Sequence, residues 1–150
     1  MDLRSLIGDF SHEEFMHAHW ERKYLHIPGV SRDQFTDILS LDDIDEYLGR
    51  ADLRVPSMRM MLNGAPVPPE NYTTAVTLGE YHSNDWIQSD KVLAYYRLGA
   101  TIIIQLAHYS LPRLRAFSSE LQNACGFNNE MNVYLTPPGK QGFATHYDTH

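Results

Sequence analysis

The feature that most limits what this chain can fold into is a change of period near Leu53. Before it, apolar residues recur at helical spacing behind capping residues; after it, they begin to alternate every second position. Helices written first and strands gathering towards the C-terminus predict an α+β fold. Ser11 followed by Glu14 predicts a capping box that opens a helix over 12–20, with Phe15, His19 and Trp20 on one face. Tyr24-Leu25-His26-Ile27 predicts a strand stopped by Pro28-Gly29. Ser31 with Gln34 predicts a second capped helix, and residues 40–48 a third, ended by Gly49.

From Leu53 onwards, Val55, Ser57, Arg59 and Met61 alternate with Met58, Met60 and Leu62, and Asn63-Gly64 supplies a hairpin turn. Pro66, Pro68 and Pro69 then predict an irregular surface segment over 65–87, in which Tyr72, Tyr81 and Trp86 fit aromatic packing better than a site wall. Ser89-Asp90 opens a helix closed by Gly99, and Thr101-Ile102-Ile103-Ile104 reads as a buried strand. Ser110 is the expected cap of a helix running to Gly126. Residues 131–135 and 142–150 read as two strands joined by the Pro137-Pro138-Gly139 loop.

The chain has 150 residues and 43% hydrophobic content, enough for one domain that buries roughly two thirds of its unfolded surface. A net charge of −7, with 12 scattered basic residues, argues against direct nucleic-acid contact and suits a basic protein or peptide partner. Cys125 is the single cysteine, so neither an intrachain disulfide nor a cysteine zinc site is possible. A cytoplasmic protein without a membrane span is expected, and a homodimer is compatible with this reading.

The candidate chemistry sits at the end. His146 and Asp148 are two apart, so on a strand both side chains point the same way and can reach one metal ion. An imidazole and a carboxylate are two thirds of the facial triad that holds non-haem Fe(II). In a chain with 8 histidines the pair alone is weak, and on spacing alone a metal pair and a solvated strand end both stand. His150 shares that face, but i and i+4 of an extended strand lie about 13 Å apart, too far to share one ion. The remaining histidines, His12, His17, His19, His26, His82 and His108, lack ligand spacing and read as structural or surface residues. Asn132 and Tyr134 share one strand face, where an amide and a phenol can hydrogen-bond a carboxylate or oxo group.

The run from Asn132 to Asp148, Asn-Val-Tyr-Leu-Thr-Pro-Pro-Gly-Lys-Gln-Gly-Phe-Ala-Thr-His-Tyr-Asp, resembles the JmjC-type cupin oxygenases, in the bacterial branch similar to the ribosomal oxygenases. The stretch from Trp20 to Gly29, the Leu62-Asn63-Gly64 turn and residues 99–104 extend the resemblance over nearly the whole chain. It implies N-terminal helices packed on a double-stranded β-helix (jelly-roll), with His146 and Asp148 binding Fe(II). It further implies 2-oxoglutarate chelating that metal, and Asn132 and Tyr134 lining the cosubstrate pocket. On that pattern residues 1–150 are the helical region plus the first strands of the cupin domain. The third metal ligand and the cation for the far carboxylate are then expected beyond His150. The function implied is an Fe(II)- and 2-oxoglutarate-dependent hydroxylase of a protein or peptide side chain, with a basic or ribosomal substrate. The alternative is a non-catalytic cupin-like binding module, and a zinc hydrolase ranks below both because no carboxylate general base is evident near His146.

Overall fold

A computed structural model describes residues 3–29 and 33–146. In chain order the elements are α1 (Leu3–Ile7), α2 (His12–Ala18), α3 (Leu41–Leu48), β1 (Met58–Leu62), β2 (Ala65–Pro66), β3 (Thr73–Leu78), β4 (Tyr81–Ile87), α4 (Ser89–Leu98), β5 (Thr101–Ile104), α5 (Pro112–Cys125) and β6 (Val133–Leu135). They fall into two compact units, Met1–Ile44 with His108–Glu130, and Asp45–Ala107 with Met131–His150.

The first unit is helical. Its capping box forms as expected: the Glu14 amide donates to Ser11 Oγ at 3.1 Å, and the Ser11 amide donates to Glu14 Oε2 at 2.8 Å. Ser40 and Asp43 repeat the device at the head of α3, where the Ser40 amide and hydroxyl both donate to Asp43 Oδ2 at 2.6 Å. That hydroxyl, followed by the bonded guanidinium of Arg113, holds the Asp43 carboxyl below its ordinary range. α5 starts differently from expectation. Its N-cap is Leu111, with no side-chain bond, and Pro112 at the first helical position replaces the expected Ser110 cap.

Two expected elements of this unit do not form. Residues 24–27 form no strand, and the strands among the described residues all lie in the other unit; Leu25 and Ile27 instead line an apolar cavity of about 530 Å³ with Leu3, Phe15, Trp20 and Leu121. Residues 33–38 form successive turns rather than a helix, and Ser31 lies outside the described residues. The Thr36 hydroxyl donates to the Asp33 carbonyl at 2.8 Å, a local bond that competes with helical pairing.

The second unit is built on a four-stranded antiparallel sheet in the order β2-β1-β5-β6. The Asn63-Gly64 turn is formed with φ of 51° and 79°, the left-handed pair that a two-residue hairpin requires. β5 lies in the middle with all four residues buried, as a β-branched run paired on both sides should. Met58, Met60, Ile102 and Ile104 share one face, and all are at most 1% exposed.

The segment 65–87 corrects the expectation most. It contains a second antiparallel hairpin, β3 with β4, turning at Gly79 (φ 62°). The three prolines precede the hairpin without entering it, and Thr73, Thr74, Val76 and Thr77 carry the strand propensity. Arg54 pins this hairpin: its Nη2 donates to Tyr81 Oη and Ser83 Oγ at 2.7 Å and to Asp85 Oδ1 at 2.9 Å, with its guanidinium 4.8 Å from the Trp86 ring centroid. Tyr81 and Trp86 thus face the Arg54 guanidinium, and Tyr72 is 1% exposed.

The expected strand over 142–150 is absent from its described part, 142–146. Side chains satisfy the backbone locally in its place: Gln141 Nε2 donates to the Phe143 carbonyl at 2.8 Å, and His146 Nδ1 lies 2.9 Å from the Ala144 carbonyl. Neither sheet closes among the described residues. The architecture is a mixed helix and antiparallel-sheet fold.

Candidate functional site

The site grows from one face of the sheet in the second unit. Register places Arg59 opposite Ile103 and Ile103 opposite Tyr134, so these three form one row across β1, β5 and β6. The next row ends in Thr101 and Thr136, whose hydroxyls lie 2.9 Å apart. Gly142 fits against that pair: a Cβ on it would come within 3.0 Å of both Thr hydroxyls. Absence of a side chain at 142 therefore lets the loop after β6 lie directly on the sheet.

The following residues continue along the same face. The Phe143 ring meets Tyr134 edge-on, with centroids 5.5 Å apart at 84°, and its centroid is 5.4 Å from that of His146. Tyr134 and His146 are thus brought to the same aromatic ring. Tyr134 stays half exposed, at 49%, with its phenol available to a ligand's polar group.

His146 stands in an irregular segment rather than on a strand. Since a carbonyl can only accept, Nδ1 is the donor in the contact with Ala144. Metal-binding imidazoles make this kind of outer bond. Asp148 and His150 lie outside the described residues. Among the described residues no three His, Cys, Asp or Glu side chains gather around one point.

Asn132 has a second task. Its Oδ1 accepts the Leu106 amide at 3.0 Å, and Leu106 has a φ of 47°, a left-handed backbone uncommon for a branched residue. The carboxamide oxygen thus stabilises the turn leaving β5, and Nδ2 is the donor that remains for a ligand. Beside the site, a cavity of about 330 Å³ is lined by Asn63, Gly64, Gly99, Lys140, Gln141 and Phe143. The larger apolar cavity lies in the first unit, and none of Asn132, Tyr134 or His146 lines it.

Sequence reasoning missed Gly142 and Phe143 as the parts that attach the loop, and it missed the Thr101–Thr136 pair. The Gly-Phe step before His146 was a signal for close backbone approach followed by an apolar anchor.

This geometry coincides with a similarity along nearly the whole chain. It is 29% identical over 154 residues to the bifunctional lysine-specific demethylase and histidyl-hydroxylase NO66 of Drosophila mojavensis, covering 97% of this chain and 15% of that protein. It is 29% identical over 147 residues to ribosomal oxygenase 1 of Gallus gallus, covering 97% of this chain and 23% of the relative. The NO66 protein of Aedes aegypti matches at 27% over 144 residues, 91% of this chain and 20% of its own length. No family model matches. The class to which the chain is similar is the JmjC ribosomal oxygenases, as its sequence motifs imply. Its named relatives are an oxygenase and a demethylase–hydroxylase, and the chain spans about a fifth of their length.

Proposed function

We propose that this chain is part of an Fe(II)- and 2-oxoglutarate-dependent oxygenase that hydroxylates a protein or peptide side chain. The observation that supports the reading is the meeting of Tyr134 and His146 on Phe143, with the imidazole held against the Ala144 carbonyl. The names of the relatives support it.

The donor chemistry fits such an ion: His146 would supply an imidazole, and Asp148 a carboxylate two residues on. Iron with 2-oxoglutarate and dioxygen supplies the oxidising power to place a hydroxyl on a substrate carbon. The protein's part is to bind and orient. Tyr134 would donate its phenol proton to the cosubstrate, Asn132 would offer its amide nitrogen, and Phe143 stands between the Tyr134 and His146 rings. Later strands of a double-stranded β-helix would add the third ligand and a cation for the far carboxylate. A net charge of −7 favours a substrate rich in Arg or Lys, and a ribosomal protein is the class that the name of one relative suggests.

The test is iron-dependent succinate formation by the natural polypeptide with and without candidate peptides. His146→Ala and Asp148→Ala should each abolish it, while the 150-residue chain alone should give none, since it offers two ligands where three are needed. Turnover that survives either substitution would refute the assignment. Metal and 2-oxoglutarate binding without turnover would favour the binding-module alternative.

A further inference from the structure

We propose that the outer edge of β3 is a docking site for an extended, basic segment of a partner protein, which adds as a further strand beside Ala75 and Thr77. The proposal goes beyond the oxygenase reading and needs neither metal nor cosubstrate. Three observations carry it.

The first is an open edge. The β3–β4 hairpin is a sheet of its own, and the outer side of β4 is already used: the Val55 amide donates to the Asp85 carbonyl at 3.1 Å, and the Ile87 amide to the Leu53 carbonyl at 2.9 Å. β3 has no such neighbour among the described residues. The two-residue turn Gly79-Glu80 makes Leu78 and Tyr81 the closing hydrogen-bonded pair, so alternation turns the backbone groups of Leu78 and Val76 towards β4 and those of Thr77 and Ala75 outwards. The Tyr72 carbonyl, which accepts from the Gln88 amide at 2.8 Å, keeps the same alternation. Lys91 Nζ covers the outward carbonyl of Thr73 at 3.3 Å. Ala75 and Thr77 are exposed, and among the described residues their backbones bond to none outside the hairpin.

The second observation is that β3 itself does nothing to discourage pairing. Its sequence, Thr-Thr-Ala-Val-Thr-Leu, has neither the charge nor the proline that keeps an edge strand single. The edge strand β2, by contrast, is two residues long and ends in Pro66. The bulge between Thr74 and Val76 puts its extra residue in β4, so β3 runs unbroken. Leu78 and Tyr81, 58% and 49% exposed, add an apolar patch beside it. The third observation is charge. Residues 70–91 hold four carboxylates, Glu70, Glu80, Asp85 and Asp90, against Lys91, and among the described residues Asp85 alone of them meets an arginine. Glu70 precedes β3 by three residues and Glu80 follows it by two, both exposed. Lysines or arginines flanking an extended segment would meet both. A second copy laid antiparallel on β3 would instead bring Glu80 of one chain towards Glu70 of the other, so charge favours a basic partner over self-pairing.

The experiment measures the fluorescence anisotropy of the labelled peptide Lys-Thr-Val-Thr-Val-Lys, blocked at both ends, with the metal-free natural polypeptide. Saturable binding is expected. Thr77→Pro removes one outward donor and leaves the ladder to β4 intact, so it should weaken binding about tenfold, whereas Thr77→Val, which keeps the amide, should bind like the parent. Glu80→Lys should weaken it about threefold at low salt, a difference that disappears in about 0.5 M sodium chloride. The same peptide N-methylated at its four central residues should not bind the unaltered protein, a result that no misfolded variant can imitate. Absence of saturable binding, parent-like binding by Thr77→Pro, or equal affinity for a peptide with glutamates in place of the lysines would overturn the proposal. Dimerisation abolished by Thr77→Pro would give the edge to a second copy, and a Thr77 amide protected from deuterium exchange without peptide would give it to another part of the polypeptide; both results overturn it too. Because the binding needs no iron, its failure is distinguishable from failure of the oxygenase assignment, which succinate formation reads.

Discussion

Gly142→Ala is the substitution whose effect follows most directly from the packing. The added methyl carbon would sit 3.0 Å from Thr101 Oγ1, 3.0 Å from Thr136 Oγ1 and 3.7 Å from Thr101 Cγ2. Ordinary contacts of this kind need several tenths of an ångström more. Thr101 cannot supply them, because it is 1% exposed on a strand paired on both sides. The loop must lift, or the Thr101–Thr136 hydrogen bond must break. Overpacking of this kind costs about 1–3 kcal/mol, and at roughly 4 °C per kcal/mol for a domain this size the melting shift is easily measured. Trp20→Phe leaves Trp86 as the fluorescent reporter of the second unit, so that urea unfolding of this unit can be followed by itself. A cycle with Thr136→Ala tests the cause. Removing one of the two hydroxyls should reduce the Gly142→Ala penalty by about 0.5–1 kcal/mol, the coupling expected of touching residues. A Gly142→Ala protein as stable as the parent, or one equally destabilised in both backgrounds, would refute the claim that this glycine seats the loop.

Other substitutions test other contacts. Ser11→Ala should destabilise the first unit by about 1 kcal/mol, read from Trp20 fluorescence, with Ser11→Asp restoring most of it. Asn132→Ala should cost about 1 kcal/mol in urea unfolding even without any ligand, because the Leu106 amide loses its acceptor. The Ser83 hydroxyl, and after it the Arg54 charge, hold the Asp85 carboxyl below its ordinary range. A depressed folded value means stabilisation present above the unfolded pKa of about 3.9 and lost as pH falls through the folded one. The difference in urea midpoint between pH 7 and pH 3 should therefore shrink in Asp85→Asn. Burial raises the Cys125 thiol, so its reaction with a disulfide reagent at pH 8 should be slower than that of free cysteine.

Local signals carried far in this chain where they were self-contained. Ser11 with Glu14, Asn63 with Gly64, Gly99 after α4 and the β-branched run 101–104 each specify their own geometry, and each is found where expected. Expectations failed where a partner elsewhere in the chain decides the outcome. Residues 24–27 have strand composition but no strand beside them among the described residues. The β3–β4 hairpin was hidden by the prolines before it, and it is pinned by Arg54, whose partners lie 27 to 31 residues away. The resemblance to oxygenases picked out Asn132, Tyr134, His146 and Asp148, and the structure brings Tyr134 and His146 to one ring. The means of assembly, a glycine lying against two threonines and a phenylalanine between two polar rings, depends on distances that no sequence pattern of period two contains.

That means of assembly bears on any attempt to move the His-x-Asp segment into a designed scaffold. The loop over 137–146 has no ladder of its own among the described residues, so its shape is imposed from below by a threonine pair and from the side by a tyrosine. Copying the His-x-Asp segment alone would transfer the donor atoms without the surface that seats them. A working transplant would need two neighbouring antiparallel strands carrying Thr101 opposite Thr136 in register, with Tyr134 two positions earlier, before the imidazole could be expected to face a metal at all.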